Sequence, residues 1–160
     1  MTSLVPFTKL TKLQEAYVSM LARLGSPTHA VTITFKRYQL GTNKAWSKPI
    51  IKDALKVCLS ILNDRAFSGI KPKRNRRVMS AVVVGTGAYK DHPHAHLALG
   101  CPPHLSYEEF ENIVNKAASK TWWIGQKPHH EPYESKGWLT YMVEHGEEDL
   151  VLELCTPAQP

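Results

Sequence analysis

Two short apolar stretches, residues 78–84 and 92–99, stand almost side by side, with Gly85-Thr86-Gly87 and a few polar residues between them. The first is rich in β-branched residues. The second alternates polar and apolar positions, and the glycines supply a turn. Both are too short for stable helices. Together they predict an antiparallel hairpin, so the chain must build a sheet and cover its apolar faces with something else.

The rest of the sequence supplies the cover. Residues 8–24 carry Leu10, Leu13, Tyr17, Met20, Leu21 and Leu24 at helical spacing, and Gly25-Ser26-Pro27 stops the helix. Val31, Ile33 and Phe35 alternate along a strand over 29–35. A Gly41-Thr42-Asn43 turn follows, and Ser47 can cap a helix running to about Ala66. After a basic loop and the hairpin, Pro102-Pro103 ends the second hairpin strand. Ser106 and Glu109 have the spacing of a capping box, opening a helix with Phe110, Ile113, Val114 and Ala117 on one face. Residues 122–124, continuing toward Tyr133, read as a strand, 135–145 as a helix ended by Gly146, 150–154 as a short strand, and 156–160 as a frayed tail. After the first helix the order is strand, helix, strand, strand, helix, strand, helix. That is an α+β chain of the ferredoxin-like (split βαβ) type, a central antiparallel sheet flanked by helices. One domain over 1–160 is expected, with its core at about 29–146, an N-terminal helical segment at 1–25 and a short strand and tail at 147–160.

Composition narrows the class. At 160 residues, 42% hydrophobic and 21% charged, the chain has enough apolar material for a core. No apolar run reaches the roughly 18 residues a membrane span needs. The first dozen residues lack the charged-then-apolar pattern of a secretory signal, so the cytoplasm is the expected location. Cys58, Cys101 and Cys155 are far apart and form no metal-knuckle or redox spacing, which reads as reduced thiols. The net charge of +6 suits a polyanionic partner.

The unusual residue is histidine, eight in all. In Asp91-His92-Pro93-His94-Ala95-His96-Leu97-Ala98-Leu99 three histidines alternate, so in a strand they share one face while Ala95, Leu97 and Leu99 take the other. Two imidazoles at i and i+2 can converge on one metal ion. Farther on, Tyr141 and His145 lie four apart on a helix and share a face, with Trp138 close to the same side and Leu139, Met142 and Val143 left for the core. A phenol ionises at a pKa of about 10. A tyrosine nucleophile therefore needs a phosphodiester already polarised by a Lewis acid, which paired histidines could hold.

His94-Ala95-His96, followed 45 residues later by Tyr141 on a helix, resembles the HUH endonuclease superfamily, and within it the single-tyrosine nicking domains of rolling-circle replication initiators. Relaxases of that superfamily place the tyrosine ahead of the histidines; replication initiators and transposases place it after them, as here. The resemblance implies that His94 and His96 are ligands of a divalent ion, Mg²⁺ or Mn²⁺. It also implies that Tyr141 attacks single-stranded DNA or an origin hairpin, leaving a 5′-phosphotyrosine and a free 3′-OH. His145, one turn beyond Tyr141, is the candidate third ligand, and His92 the reserve. Replication initiators commonly carry a lysine three or four residues after the tyrosine, where this chain has Glu144 and His145. Only one tyrosine lies on that helix; Tyr133 is the fallback nucleophile and Tyr89 reads as structural.

Lys71, Lys73, Arg74, Arg76 and Arg77 form the densest positive segment and are the candidate phosphate contacts. Lys36, Arg37, Lys44 and Lys48 are weaker ones, and Trp123 of the Trp122-Trp123 pair is the candidate for stacking a base. No phosphate-loop signature occurs, so strand separation would fall to a host helicase or to extruded hairpins. Three other readings stand beside this one. A transposase of the same superfamily usually has Asn-Pro shortly after its tyrosine, and residues 142–146 have none. A non-catalytic nucleic-acid-binding module would leave the histidine face without a task. A hydrolase using His94, His96 and an activated water would survive loss of Tyr141.

Overall fold

The computed structural model describes residues 9–38, 41, 44–71, 75–85, 93–134, 137–146 and 150–159, and of residues 137 and 144–146 the backbone alone. Helix α1 (Lys12–Ala22) starts later than its apolar spacing predicts, because Thr11 caps it: its side chain accepts from the Gln14 N–H while the Gln14 side chain accepts from the Thr11 N–H. Strand β1 (His29–Thr34) leads to α2 (Lys48–Ala66), capped by Ser47 with Pro49 in its first turn. The hairpin strands are β2 (Met79–Gly85) and β3 (His94–Gly100). Helix α3 (Tyr107–Ser119) has the expected Ser106–Glu109 capping box. Strand β4 (His129–Pro132) and helix α4 (Gly137–Gly146) follow.

The four strands form one sheet in the order β2-β3-β1-β4, with every pair antiparallel. This is the α+β, ferredoxin-like arrangement read from the sequence. Period-two alternation divides its two faces. On one, Val31, Ile33, Val82, Val84, Ala95, Leu97 and Leu99 pack with Leu55 and Leu62 of α2 and Phe110 and Val114 of α3. On the other, Met79, Ala81, Val83 and Ala98 pack with Leu21 of α1 and Leu139, Met142 and Val143 of α4. Each fully buried aliphatic or aromatic side chain contributes roughly 1.5–3 kcal/mol by leaving water, so both layers hold the sheet. No helix among the described residues is long and apolar enough to cross a membrane. The three cysteines are free, and burial pushes the Cys58 thiol up to about 11.

Three readings of the sequence need correction. Residues 122–124 do not begin a strand that runs to Tyr133. Thr121 ends α3 by donating to the Ala117 carbonyl, and the Ile124 N–H closes a turn onto Thr121. Only Ile124 pairs, with Phe35, before the chain crosses to β4. Residues 150–154 are likewise not a strand: Leu150 bridges Val83, and Leu152–Leu154 is a single 3₁₀ turn. Residues 156–159 are not frayed. Thr156 pairs with Ser80 and Gln159 with Arg77, so the tail runs along the outer side of β2 and engages an edge that would otherwise offer open backbone groups.

Candidate active site

β3 runs through the middle of the sheet, so its side chains are held by neighbours on both flanks. His94 and His96 project from the face opposite Ala95 and Leu97, with ring centroids 4.8 Å apart at 74°. His96 is 7% exposed, and its Nδ1 lies 3.1 Å from the Thr32 hydroxyl on the paired strand. That bond fixes the ring's orientation. His94 is half-buried and rests against Gly85, its partner on β2. A Cβ at position 85 would sit 3.1 Å from His94 Nε2, so a glycine there makes room for the imidazole.

Helix α4 lays its tyrosine against His96. Leu139, Met142 and Val143 are buried on its inner side. Trp138 Nε1–H donates to the Leu97 carbonyl at 3.3 Å, which ties the helix to β3. The Trp138 ring meets His96 edge-on at 5.4 Å and stacks on Tyr141 at 5.4 Å and 24°. Tyr141 meets His96 at 5.2 Å and is 39% exposed. Elements 45 residues apart in sequence thus place a partly exposed phenol beside a buried, oriented imidazole, itself paired with a second one.

Two neighbouring imidazoles on one strand are the donor type that divalent ions take, but two do not complete a coordination shell. Imidazole suits manganese and the later transition metals better than magnesium. Among the described residues no group of three histidine, cysteine or carboxylate side chains assembles. His145 lies on α4 one turn past Tyr141, but its side chain, like the whole of His92 and Tyr89, falls outside the described residues. The working face also extends farther than the sequence reading took it. Thr32 pairs with His96 on one flank and His129 on the other, so His129 and, two residues on, Glu131 share the histidine face, 3.0 Å apart. The signal was available as the alternation His129, Glu131, but a strand placed too early obscured it.

Other candidates lie elsewhere. Tyr133 follows β4 where it pairs with His29, at the end of the sheet away from His94; it is half-buried against the second core, and burial raises its phenol. Arg77 precedes β2 at that same far end, eight residues from Gly85, or roughly 25 Å of extended chain. Arg76 donates to the Lys71 carbonyl nearby, while Lys73 and Arg74 lie outside the described residues. Arg76 and Arg77, at the described end of the densest basic segment, are therefore remote from the tyrosine. Trp123 is half-buried against the first core, whereas Trp122 is 47% exposed, the reverse of the sequence assignment.

A second histidine pair is structural. His29 is fully buried on the α3 face, stacked 3.8 Å from Tyr107, with Nε2 bonded to the Tyr107 carbonyl and Nδ1 to Thr28. His130 binds Asn115 through Nε2, and its buried Nδ1 has no hydrogen-bond partner among the described residues. Burial holds both imidazoles below their ordinary value of 6.5, although Glu111 opposes the shift. As pH falls below 6.5, the unfolded chain takes up protons that the folded one refuses. Stability is expected to drop through that window, read as a lower urea midpoint, with a smaller drop in His130→Gln. A midpoint that held or rose on acidification would contradict this.

No protein-family model, curated protein or solved structure matches this chain.

Proposed function

We propose that the chain is a metal-dependent single-strand DNA nicking and joining enzyme with Tyr141 as its nucleophile, acting as the initiator of rolling-circle replication of a plasmid or phage. The observation that carries the proposal is the contact of Tyr141 with His96, itself beside His94, on the sheet face that α4 leaves partly open. His94 and His96 are the residues that would hold the ion, with His145 as third ligand and His92 in reserve. A bound Mg²⁺ or Mn²⁺ would polarise the scissile phosphate and orient it for in-line displacement.

The chain's own residues do the rest. The Tyr141 oxygen forms a bond to phosphorus as the phosphorus–O3′ bond breaks, and the phenolic proton is lost as the 3′-oxygen gains one. The 5′ end stays on the protein as a phosphotyrosine. Attack by a 3′-OH on that ester reverses the step and joins strands. Trp138 keeps Tyr141 against His96 by stacking on it and bonding to β3. Thr32 holds His96 in one orientation, the kind of supporting contact whose loss weakens metal binding roughly 10–100-fold.

The test is incubation with a labelled pool of single-stranded DNA and Mn²⁺, resolved on a denaturing protein gel. A labelled band at protein mass is expected, absent when a chelator is present and restored when Mn²⁺ is added in excess. Cleavage with no such band would favour a water-activating hydrolase. Tight binding with neither cleavage nor band would favour a binding module.

A further inference from the structure

The edge of the working face nearest His94 carries an aromatic–cationic pair that the nicking step does not use. β1 continues past Thr34, the partner of His94, into Phe35 and Lys36. Phe35 accompanies Ile33 into the first core, so alternation puts Lys36 on the same face as Thr32, Thr34 and the histidines. The Phe35 N–H donates to Pro93 on one flank, and the Lys36 N–H donates to Trp123 on the other. The Lys36 stem passes over Gly125, where a Cβ would come within 3.4 Å of its Cγ, and its Nζ sits 4.1 Å from the centre of the Trp122 ring. Strands lie about 4.8 Å apart, so the backbone at Ile124 is roughly two spacings, about 10 Å, from that of His94.

The sequence around this pair is basic. From His29 to Lys52 it has five lysines and arginines and no acidic residue, and between Glu111 and Glu131 there is again no acidic residue. The chain after Lys36 folds back on itself, with Tyr38 bridged to Ala45 and the Trp46 N–H on the Arg37 carbonyl. Directly beyond Lys36 this hairpin carries Arg37, Lys44 and a 65% exposed Tyr38. Solvent-exposed rings set among cations are what an unpaired nucleotide strand needs: a π-face for the base and positive charge for its phosphates.

We infer that Trp122 and Lys36 form a nucleotide subsite that grips the unpaired strand beside the scissile phosphate, the indole stacking a base and the ammonium leaving the ring to meet the adjoining phosphate. This places the principal DNA contact on Lys36 at the end of β1 and Trp122 in the turn after α3, not on Arg76 and Arg77 at the far end of the sheet. The subsite rests on the nicking proposal, since both act on one strand, but it is tested without chemistry.

The experiment is fluorescence anisotropy of a labelled oligothymidylate with the full chain in chelator, which keeps the strand intact. Trp122→Ala is expected to weaken binding roughly five- to a hundredfold, and Trp122→Phe, which keeps a ring, much less. Lys36→Met is expected to lower the slope of log affinity against log salt by about 0.7, one single-strand phosphate. Circular dichroism melts check that each variant is folded. Equal binding by Trp122→Ala and the parent would overturn the subsite, as would a parent that does not bind. Neither result touches the phosphotyrosine band formed with Mn²⁺, so failure of the subsite and failure of the nicking proposal read separately.

Discussion

His96→Ala is expected to lower metal-dependent nicking roughly a hundred- to a thousandfold, because Lewis-acid activation of a phosphate contributes several kcal/mol and each 1.36 kcal/mol is a factor of about ten. The substitution removes the imidazole that meets Tyr141 and that lies beside His94 on β3. It also has a structural cost. His96 is buried, its Nδ1 partners Thr32, and both Trp138 and Tyr141 rest on its ring. Loss of those contacts destabilises the fold by about 1–3 kcal/mol. A second variant separates the two effects. His96→Asn keeps a polar group near Thr32 without an imidazole donor. It should hold the urea midpoint closer to the parent's while nicking stays low and Mn²⁺ affinity falls. Near-parental nicking by a folded His96→Asn would remove His96 from the proposed metal site.

The central sheet was legible because its strands obey period two so plainly. Ala95, Leu97 and Leu99 alternate with His94 and His96, and a neighbouring β-branched run with a glycine turn leaves one simple pairing. The capping residues Ser47 and Ser106 were legible for a different reason, since a side-chain oxygen three residues before an unpaired N–H is a local feature. Misreadings came where a tertiary contact decided the outcome. Trp122-Trp123-Ile124 has strand composition, yet Thr121 bonds back to α3 and turns the chain, so one indole enters the core and the other faces water. Leu150 to Leu154 also has strand composition, but only isolated residues reach β2. The site was legible as two patterns, paired histidines and a tyrosine helix. What the sequence could not supply was which end of the sheet each basic segment occupies. Residues 71–77 stood out by density alone. The sparser cations around Lys36 lie at the histidine end because β1 runs antiparallel to β3 and finishes beside His94.

Tyr141→Phe is expected to have the largest functional effect and the smallest structural one. Tyr141 is 39% exposed, and its ring contacts with Trp138 and His96 are ones a phenylalanine ring can keep. Removal of one partly exposed hydroxyl should leave the melting temperature within a few degrees of the parent's, about the shift that ~1 kcal/mol gives in a domain this size. The proposed chemistry, by contrast, loses its attacking atom. Tyr133, at the far end of the sheet and half-buried, is not placed to take over. Metal binding by His94 and His96 should persist in the variant, and so should DNA binding, which distinguishes loss of the nucleophile from loss of the site.

The most direct measurement is therefore the labelled-strand gel in Mn²⁺ with the parent and Tyr141→Phe side by side, followed by peptide mapping of any labelled band. The parent is expected to give a covalent band that maps to the α4 peptide containing Tyr141, and the variant neither band nor cleavage. Cleavage that persists undiminished in Tyr141→Phe, or a covalent band that maps to another residue, would contradict a tyrosine nucleophile on α4.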